Sequence, residues 1–371
     1  MKSKGAASRL AAASLMILSL VICGLAVEGV SYTLVTFSEG GYYERDIRNS
    51  LGLRDPREPQ ELQCDRVVLA IGDSFTYGLG VPYRDSYPAQ LDMGLRSAAA
   101  NVAAVNGGVA GFDTEMALSL LKRVYDDYEP SVVVLGFHPA DVVQNQLTFA
   151  AASEQPGPAS HTAKIDATFE EVVEQTEANS PTLYWVREFL RQKTSTFALL
   201  DYLYKTYAIK YLPAPPAVTN TGTGAEFAAT ERLLDEIHEF LSAKRNTQFV
   251  IVGIVALVRF DAYPYEQLNA RLEAYARSRG VHFIDPLEEF AKHSSSKLWV
   301  SIRDGHYNAA GNRIVSDAVQ AYLSKHGLLT AAQHTLGANG VGSQEAFVER
   351  KSCDERKIFV HHSRYFGLLP R

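Results

Sequence analysis

The apolar run VVLAI, Val67 to Ile71, leads straight into Gly72-Asp73-Ser74. A serine there stands at the carboxyl end of a strand, the edge where doubly wound sheets bind ligands, and the glycine permits the tight turn that presents its hydroxyl. The Ser74 N–H, at a helix start, can also face a developing oxyanion. A plain helix cap accounts for the same triplet, since Asp and Ser are preferred there. Asp304-Gly305-His306 shifts the balance, because it follows the last predicted strand and opens the final helix, so a carboxylate and an imidazole reach the same edge. A serine nucleophile needs a base within hydrogen-bond reach, and that base needs a partner to fix its tautomer. Ser74, His306 and Asp304 are therefore the candidate nucleophile, base and orienting acid. Two further blocks end on this edge: Asn106-Gly107-Gly108-Val109-Ala110-Gly111 after the second strand and Gly136-Phe137-His138-Pro139-Ala140-Asp141 after the third. A loop so poor in side chains lets backbone N–H groups approach a ligand, although a simple turn reads the same way.

In order and spacing these blocks resemble the SGNH hydrolases, also called GDSL esterases, over about residues 65–327. Gly72-Asp73-Ser74 is similar to the family's serine block, with Phe75, Thr76, Gly78, Gly80 and Val81 fitting the version common in bacterial envelope members. Asn106 to Gly111 resembles its glycine block, which implies that the Gly111 N–H is an oxyanion donor. Asp304-Gly305-His306 resembles the terminal block that carries acid and base. The resemblance implies a serine esterase, lipase, deacetylase or O-acyltransferase on a five-stranded parallel sheet, with no metal or cofactor. Two departures stand out. The third block usually reads Asn-Asp where this chain has Ala140-Asp141, so the amide that completes the oxyanion hole is missing; His138 and Asn145 are the nearby candidates to replace it. Loss of one such donor costs about 2.7–4 kcal/mol, which an enzyme can survive. The aspartate also stands two residues before the histidine rather than three, position 303 being Arg, a form that resembles alginate-type O-acetyltransferases.

The elements that must position these blocks follow an α/β rhythm. Short, β-branched apolar runs predict strands at Val67–Ile71, Val102–Val105, Val132–Phe137, Phe249–Val255 and Val281–Ile284, and runs apolar on both faces fit a parallel sheet covered on each side. Helical spacing predicts Glu115–Tyr128 capped by Thr114, Glu226–Arg245, Tyr265–Arg279 ending at Gly280, and Asn308–His326 stopping at Gly327. The fold expected is a three-layer α/β/α sandwich of flavodoxin type. Residues 146–225 break the rhythm and are expected to be an insertion, aromatic and helical in the middle (Tyr184, Trp185, Phe189, Phe197, Tyr202, Tyr204, Tyr207 and Tyr211), serving as added core, a lid or a surface on a bilayer. Residues 328–371 read as an unassigned tail, with His361 and His362 too few to hold a metal.

Composition narrows the function further. A net charge of −6 provides no basic field for nucleic acid, and Cys23, Cys64 and Cys353 lack metal-ligand spacing. Leu10 to Val27 is an uncharged run of 18 residues behind Lys2, Lys4 and Arg9, long enough to span a bilayer with the remainder delivered outside. For residues 1–37 the alternatives are a signal peptide cut after Ala26, with Gly24 and Ala26 as the small residues, which also exports the chain, and a buried core helix. Outside the cytoplasm Cys64 and Cys353 could pair. The expectation is an exported, membrane-anchored serine hydrolase of an O-acyl ester on an envelope glycan or lipid. A periplasmic polysaccharide O-acetyltransferase and a non-catalytic glycan- or partner-binding domain are the alternatives.

Overall fold

A computed structural model describes residues 3–38, 47–62, 64–98, 101–145, 190, 193–204, 206, 225–244 and 246–329. Most of the expected insertion, with Tyr184, Trp185, Phe189, Tyr207 and Tyr211, lies outside these residues, as does the tail with Cys353, His361 and His362. Five strands form one sheet: β1 (Arg66–Gly72), β2 (Val102–Gly108), β3 (Val132–Phe137), β4 (Gln248–Gly253) and β5 (His282–Ile284). All neighbouring pairs are parallel, in the order β2-β1-β3-β4-β5. That order reverses direction beside β1, which is the switch point where the sheet edge opens for a ligand.

Alternate side chains of each strand feed two apolar layers. Val67, Leu69 and Ile71 point to the layer covered by α4 (Thr114–Tyr128), α6 (Ala225–Ser242) and α7 (Glu266–Arg279). Val68 and Ala70 point to the other, covered by α3 (Tyr87–Ala98) and α9 (Ala309–Lys325). Between these elements lie α2 (Ser74–Tyr77), α5 (Ser195–Leu203) and α8 (Leu287–Ala291). The three-layer sandwich is thus present as expected.

Several details differ from the sequence-based expectation. β2 runs on to Gly108, so Asn106-Gly107-Gly108 is paired strand and the loop starts only at Val109. The cap of α4 is Asp113, whose carboxylate accepts the Met116 N–H at 2.9 Å; Thr114 is already helical. Helix α3 was not anticipated, because Pro88 and Gly94 mask its period. Pro88 sits in the first turn, where a missing N–H costs nothing.

At the N-terminus, α1 (Ser3–Ser38) is a single helix whose segment Met16–Phe37 is long and apolar enough to cross a membrane, a test that a signal sequence also passes. From Met16 on most of its apolar side chains are exposed, among them Leu20, Leu25 and Val30, while Val35 is buried. Cys64 is disulfide-bonded and Cys23 is a free, exposed thiol.

Candidate active site

Strand register sets the floor of the site. Gly72 lies opposite Gly108 on one side and Gly136 on the other, so three glycines stand abreast at the carboxyl edge. The single turn α2 rests directly on them. A Cβ on Gly108 would come within 2.2 Å of the Tyr77 N, and one on Gly136 within 2.3 Å of the Thr76 Oγ1, so any larger residue would lift the turn. Asp73 caps α2 by accepting the Phe75 N–H at 2.9 Å, which fixes Ser74 as the first helical residue. Burial raises the Asp73 carboxyl above the usual range, against the N–H groups of Phe75 and Thr76 that favour its charge.

Residues before β1 hold the turn from below. Arg54, only 6% exposed, donates Nη1 to the carbonyls of Tyr77 (2.6 Å) and Gly78 (2.8 Å) and Nη2 to that of Val81 (2.8 Å), and it stacks over the Tyr77 ring. Cationic groups at a helix C-terminus match its dipole. The Asn106 amide adds a hydrogen bond to the Tyr77 carbonyl at 3.2 Å while its Oδ1 accepts the Gly108 N–H at 3.0 Å. Sequence reasoning missed Arg54, which lies in a stretch that reads only as polar and turn-rich.

Ser74, His306 and Asp304 meet across more than two hundred residues of chain. The Ser74 Oγ is 2.8 Å from His306 Nε2, and His306 Nδ1 is 2.6 Å from Asp304 Oδ1. The same Oδ1 accepts the His306 backbone N–H at 2.9 Å, a closed ring that the two-residue spacing makes possible. Burial pushes the Asp304 carboxyl up, but the hydrogen bonds from His306 outweigh it and hold it below the usual carboxylate range. Asp304 is therefore charged at neutral pH, and it binds a proton on Nδ1, leaving Nε2 free to accept from a serine hydroxyl. The Asn308 side chain caps α9 at Ala310 and Gly311 and so fixes the loop that carries the pair.

The remaining candidates separate. Among the described residues nothing accepts the N–H of Ser74 or of Gly111, and Gly111 is exposed at a φ of 82°. His138 begins the loop after β3 and stacks on Phe75, with centroids 4.7 Å apart; Phe75 lies 4.7 Å from His306 on another side. The side chain that this edge presents is thus His138 rather than Ala140. Burial, with the neighbouring His306, pushes the His138 imidazole down to about 3, so it is neutral at physiological pH. Its Nδ1 accepts the Ala140 N–H at 3.2 Å, which leaves the ring proton on Nε2 as a donor. Asn145 is a correction. It is fully buried, its amide donates to Thr114 Oγ1 and Thr230 Oγ1, both at 3.0 Å, and its Oδ1 accepts the Thr114 N–H at 3.2 Å. It ties α4 to α6 and has no proton left for a ligand.

A model of the GDSL-like Lipase/Acylhydrolase family matches residues 70–314. An arylesterase of Vibrio mimicus is 27% identical over 92 residues, a match that takes in 22% of this chain and 46% of that relative. The chain thus spans about half the length of the curated relative it matches. Among solved structures, TesA superposes with a TM-score of 0.42 at 13% identity, covering 70% of this chain and 99% of that one. The esterase EstA from Pseudoalteromonas sp. gives 0.39 at 11% identity, covering 71% and 98%.

Proposed function

Because this chain belongs to the GDSL-like lipase and acylhydrolase family, a group of ester-bond hydrolases, we propose that it is an exported serine hydrolase that cleaves an O-acyl ester through Ser74, His306 and Asp304. The observation that carries this reading is the unbroken relay Ser74 Oγ to His306 Nε2 to Asp304, set beside two N–H groups without acceptors among the described residues.

The reaction follows from those positions. His306 Nε2 takes the serine proton as Ser74 Oγ adds to the ester carbonyl, and Asp304 stabilises the imidazolium that results. The carbonyl oxygen becomes an oxyanion held by the N–H groups of Ser74 and Gly111 and by the Nε2–H of His138, the donor that stands in for the missing amide. Collapse of the tetrahedral adduct breaks the bond to the alcohol, which leaves with the proton from His306, and the acyl group stays on Ser74. Water, deprotonated by His306, then attacks the acyl-enzyme and releases the acid. A glycan hydroxyl in place of water would move the acyl group instead, which is the O-acyltransferase reading that the Asp-x-His spacing favours. Export rests on the apolar α1 behind a basic N-terminus and on the disulfide at Cys64, which suits an oxidising compartment. The substrate is then an ester on a glycan or lipid of the cell envelope.

Labelling with a fluorophosphonate probe tests the mechanism. The full chain is expected to be labelled and Ser74→Ala to be blank. Labelling of neither protein would remove the catalytic reading in favour of a binding domain. Acetyl transferred to added glycan with little free acetate would make the protein a transferase.

A further inference from the structure

The apolar helix α1 is bonded to the site through α5. The Glu28 carboxylate accepts the N–H groups of Ser195 at 2.5 Å and Thr196 at 3.0 Å, capping the N-terminus of α5 from outside, and the Thr196 hydroxyl donates to Ser31 Oγ at 3.2 Å. Ser195 and Ala198 are buried. The Ser195 hydroxyl in turn accepts Nη2 of Arg303 at 3.0 Å, and Arg303 is the residue next to Asp304. Tyr202, two turns further on, meets Trp299 of the same catalytic loop edge to face, with ring centroids 5.8 Å apart. On its outer side α5 presents Leu200, Leu203 and Tyr204, which are 57%, 40% and 45% exposed. Their spacing of three and four residues makes them one stripe on the helix.

We propose that this stripe rests on the bilayer surface beside α1 and holds the catalytic loop at the level of the lipid headgroups, so that the ester cleaved is one carried by the membrane. The depth follows from the sequence of α1. A span over Met16–Phe37 would bury the Glu28 carboxylate near its centre, at high cost, whereas the uncharged run Leu10–Val27, rising about 1.5 Å per residue, spans the hydrocarbon core and leaves Glu28 at its outer boundary. The backbone groups that Glu28 holds, and the start of α5, lie at that same level. A helix there with Leu and Tyr on its free side and an exposed cation, Lys193, just ahead of it has the composition of an interfacial helix on an anionic surface. The helix to which α5 is bonded is the one whose exposed apolar side chains form a run long enough to cross a membrane, which is what selects lipid over another protein as the occupant of the stripe. This inference rests on the hydrolase and anchor readings above, and it adds where the substrate is held.

The test uses the full chain reconstituted in vesicles of phosphatidylethanolamine and phosphatidylglycerol. Leu203→Trp is expected to gain emission that is quenched when the lipids carry brominated tails, relative to the parent chain. The paired substitution Leu200→Glu with Leu203→Glu is expected to lower hydrolysis of a fluorogenic phospholipid ester in those vesicles about tenfold while leaving a soluble nitrophenyl ester unchanged. Absence of quenching would overturn the docking surface, as would an equal fall in both activities, which marks the stripe as structural. Quenching with hydrolysis of the soluble ester only would overturn the membrane-borne substrate. If the parent and Ser74→Ala both fail on both esters, the hydrolase reading is the one that falls, and the quenching still reports on the docking.

Discussion

His138 has one proton to give, and its position decides what it is for. With Nδ1 occupied by the Ala140 N–H and the ring held neutral by burial, Nε2–H is a fixed donor beside Phe75 and His306. His138→Phe keeps a ring to stack on Phe75 and removes the donor, so kcat is expected to fall about a hundred- to a thousandfold with KM little changed. His138→Asn, which restores an amide, is expected to recover part of that loss. Steady-state kinetics on a soluble ester decide it, and an unchanged kcat in His138→Phe would remove the residue from the oxyanion hole. This is also where reading the sequence reached its limit. That Ser74, His306 and Asp304 meet was legible because residue type and strand-end position suffice to bring a serine, a histidine and a carboxylate to one edge. The choice between His138 and Asn145 was not, because both follow β3 closely and only the buried bonds to Thr114 and Thr230 show that the asparagine faces the helices instead.

The turn α2 depends on what lies under it. Three glycines abreast leave no room for a Cβ at Gly108, where backbone atoms of Thr76 and Tyr77 already stand within 2.4 Å of it. Gly108→Ala is expected to destabilise the fold by about 1–3 kcal/mol, the usual cost of overpacking, and to lower activity further by moving Ser74; urea unfolding and kinetics on the same sample separate the two effects. The loop after β3 holds a second dependence. Asp141 accepts the His138 N–H at 3.0 Å through Oδ2, its Oδ1 has no partner among the described residues, and burial together with Asp73 raises its carboxyl well above the ordinary range. A raised native value means that the folded state favours the protonated acid. The stability this contributes is complete below the unfolded value, near 3.9, and is lost as pH rises through the native one. Asn cannot ionise, so Asp141→Asn is expected to gain stability relative to the parent as pH rises from about 4 to about 8. Unfolding midpoints that differ by the same amount at both pH values would contradict it. The network Asp55, Arg57 and Asp92 shows the same economy of charge. Arg57 bridges Asp55 at 2.7 Å and Asp92 at 3.1 Å, and Asp55 is almost wholly buried, so Arg57→Ala leaves an uncompensated charge at a cost of about 3–5 kcal/mol. None of this segment was readable as structure, since its stability comes from charges paired over long sequence distances rather than from a periodic apolar face.

At the scale of the whole molecule, the sheet and its flanking helices other than α3 were readable because apolar periodicity is local, and α5 falls where a helix around Phe197 and Tyr202 was expected. Its bonds to α1 were not readable, because a nine-residue helix gains most of its stability from what it touches. What it touches is α1, and the orientation of α1 sets where the whole site faces. Lys2, Lys4 and Arg9 precede the apolar run, and no Lys or Arg follows it until Arg45. Positive charge counted within about 15–20 residues of a span stays in the cytoplasm, so the bias predicts an N-terminus inside and residues 47 onward outside. In intact cells making the full chain, a membrane-impermeant maleimide is expected to label Ser50→Cys, and to reach Ser8→Cys only after permeabilisation. Retention of both in the membrane after an alkaline wash is expected for an uncleaved span, while release of Ser50→Cys with loss of residues 1–26 would mean a removed signal. The opposite labelling pattern would put Ser74 on the cytoplasmic side, where an envelope ester is out of reach and a disulfide at Cys64 would face a reducing compartment.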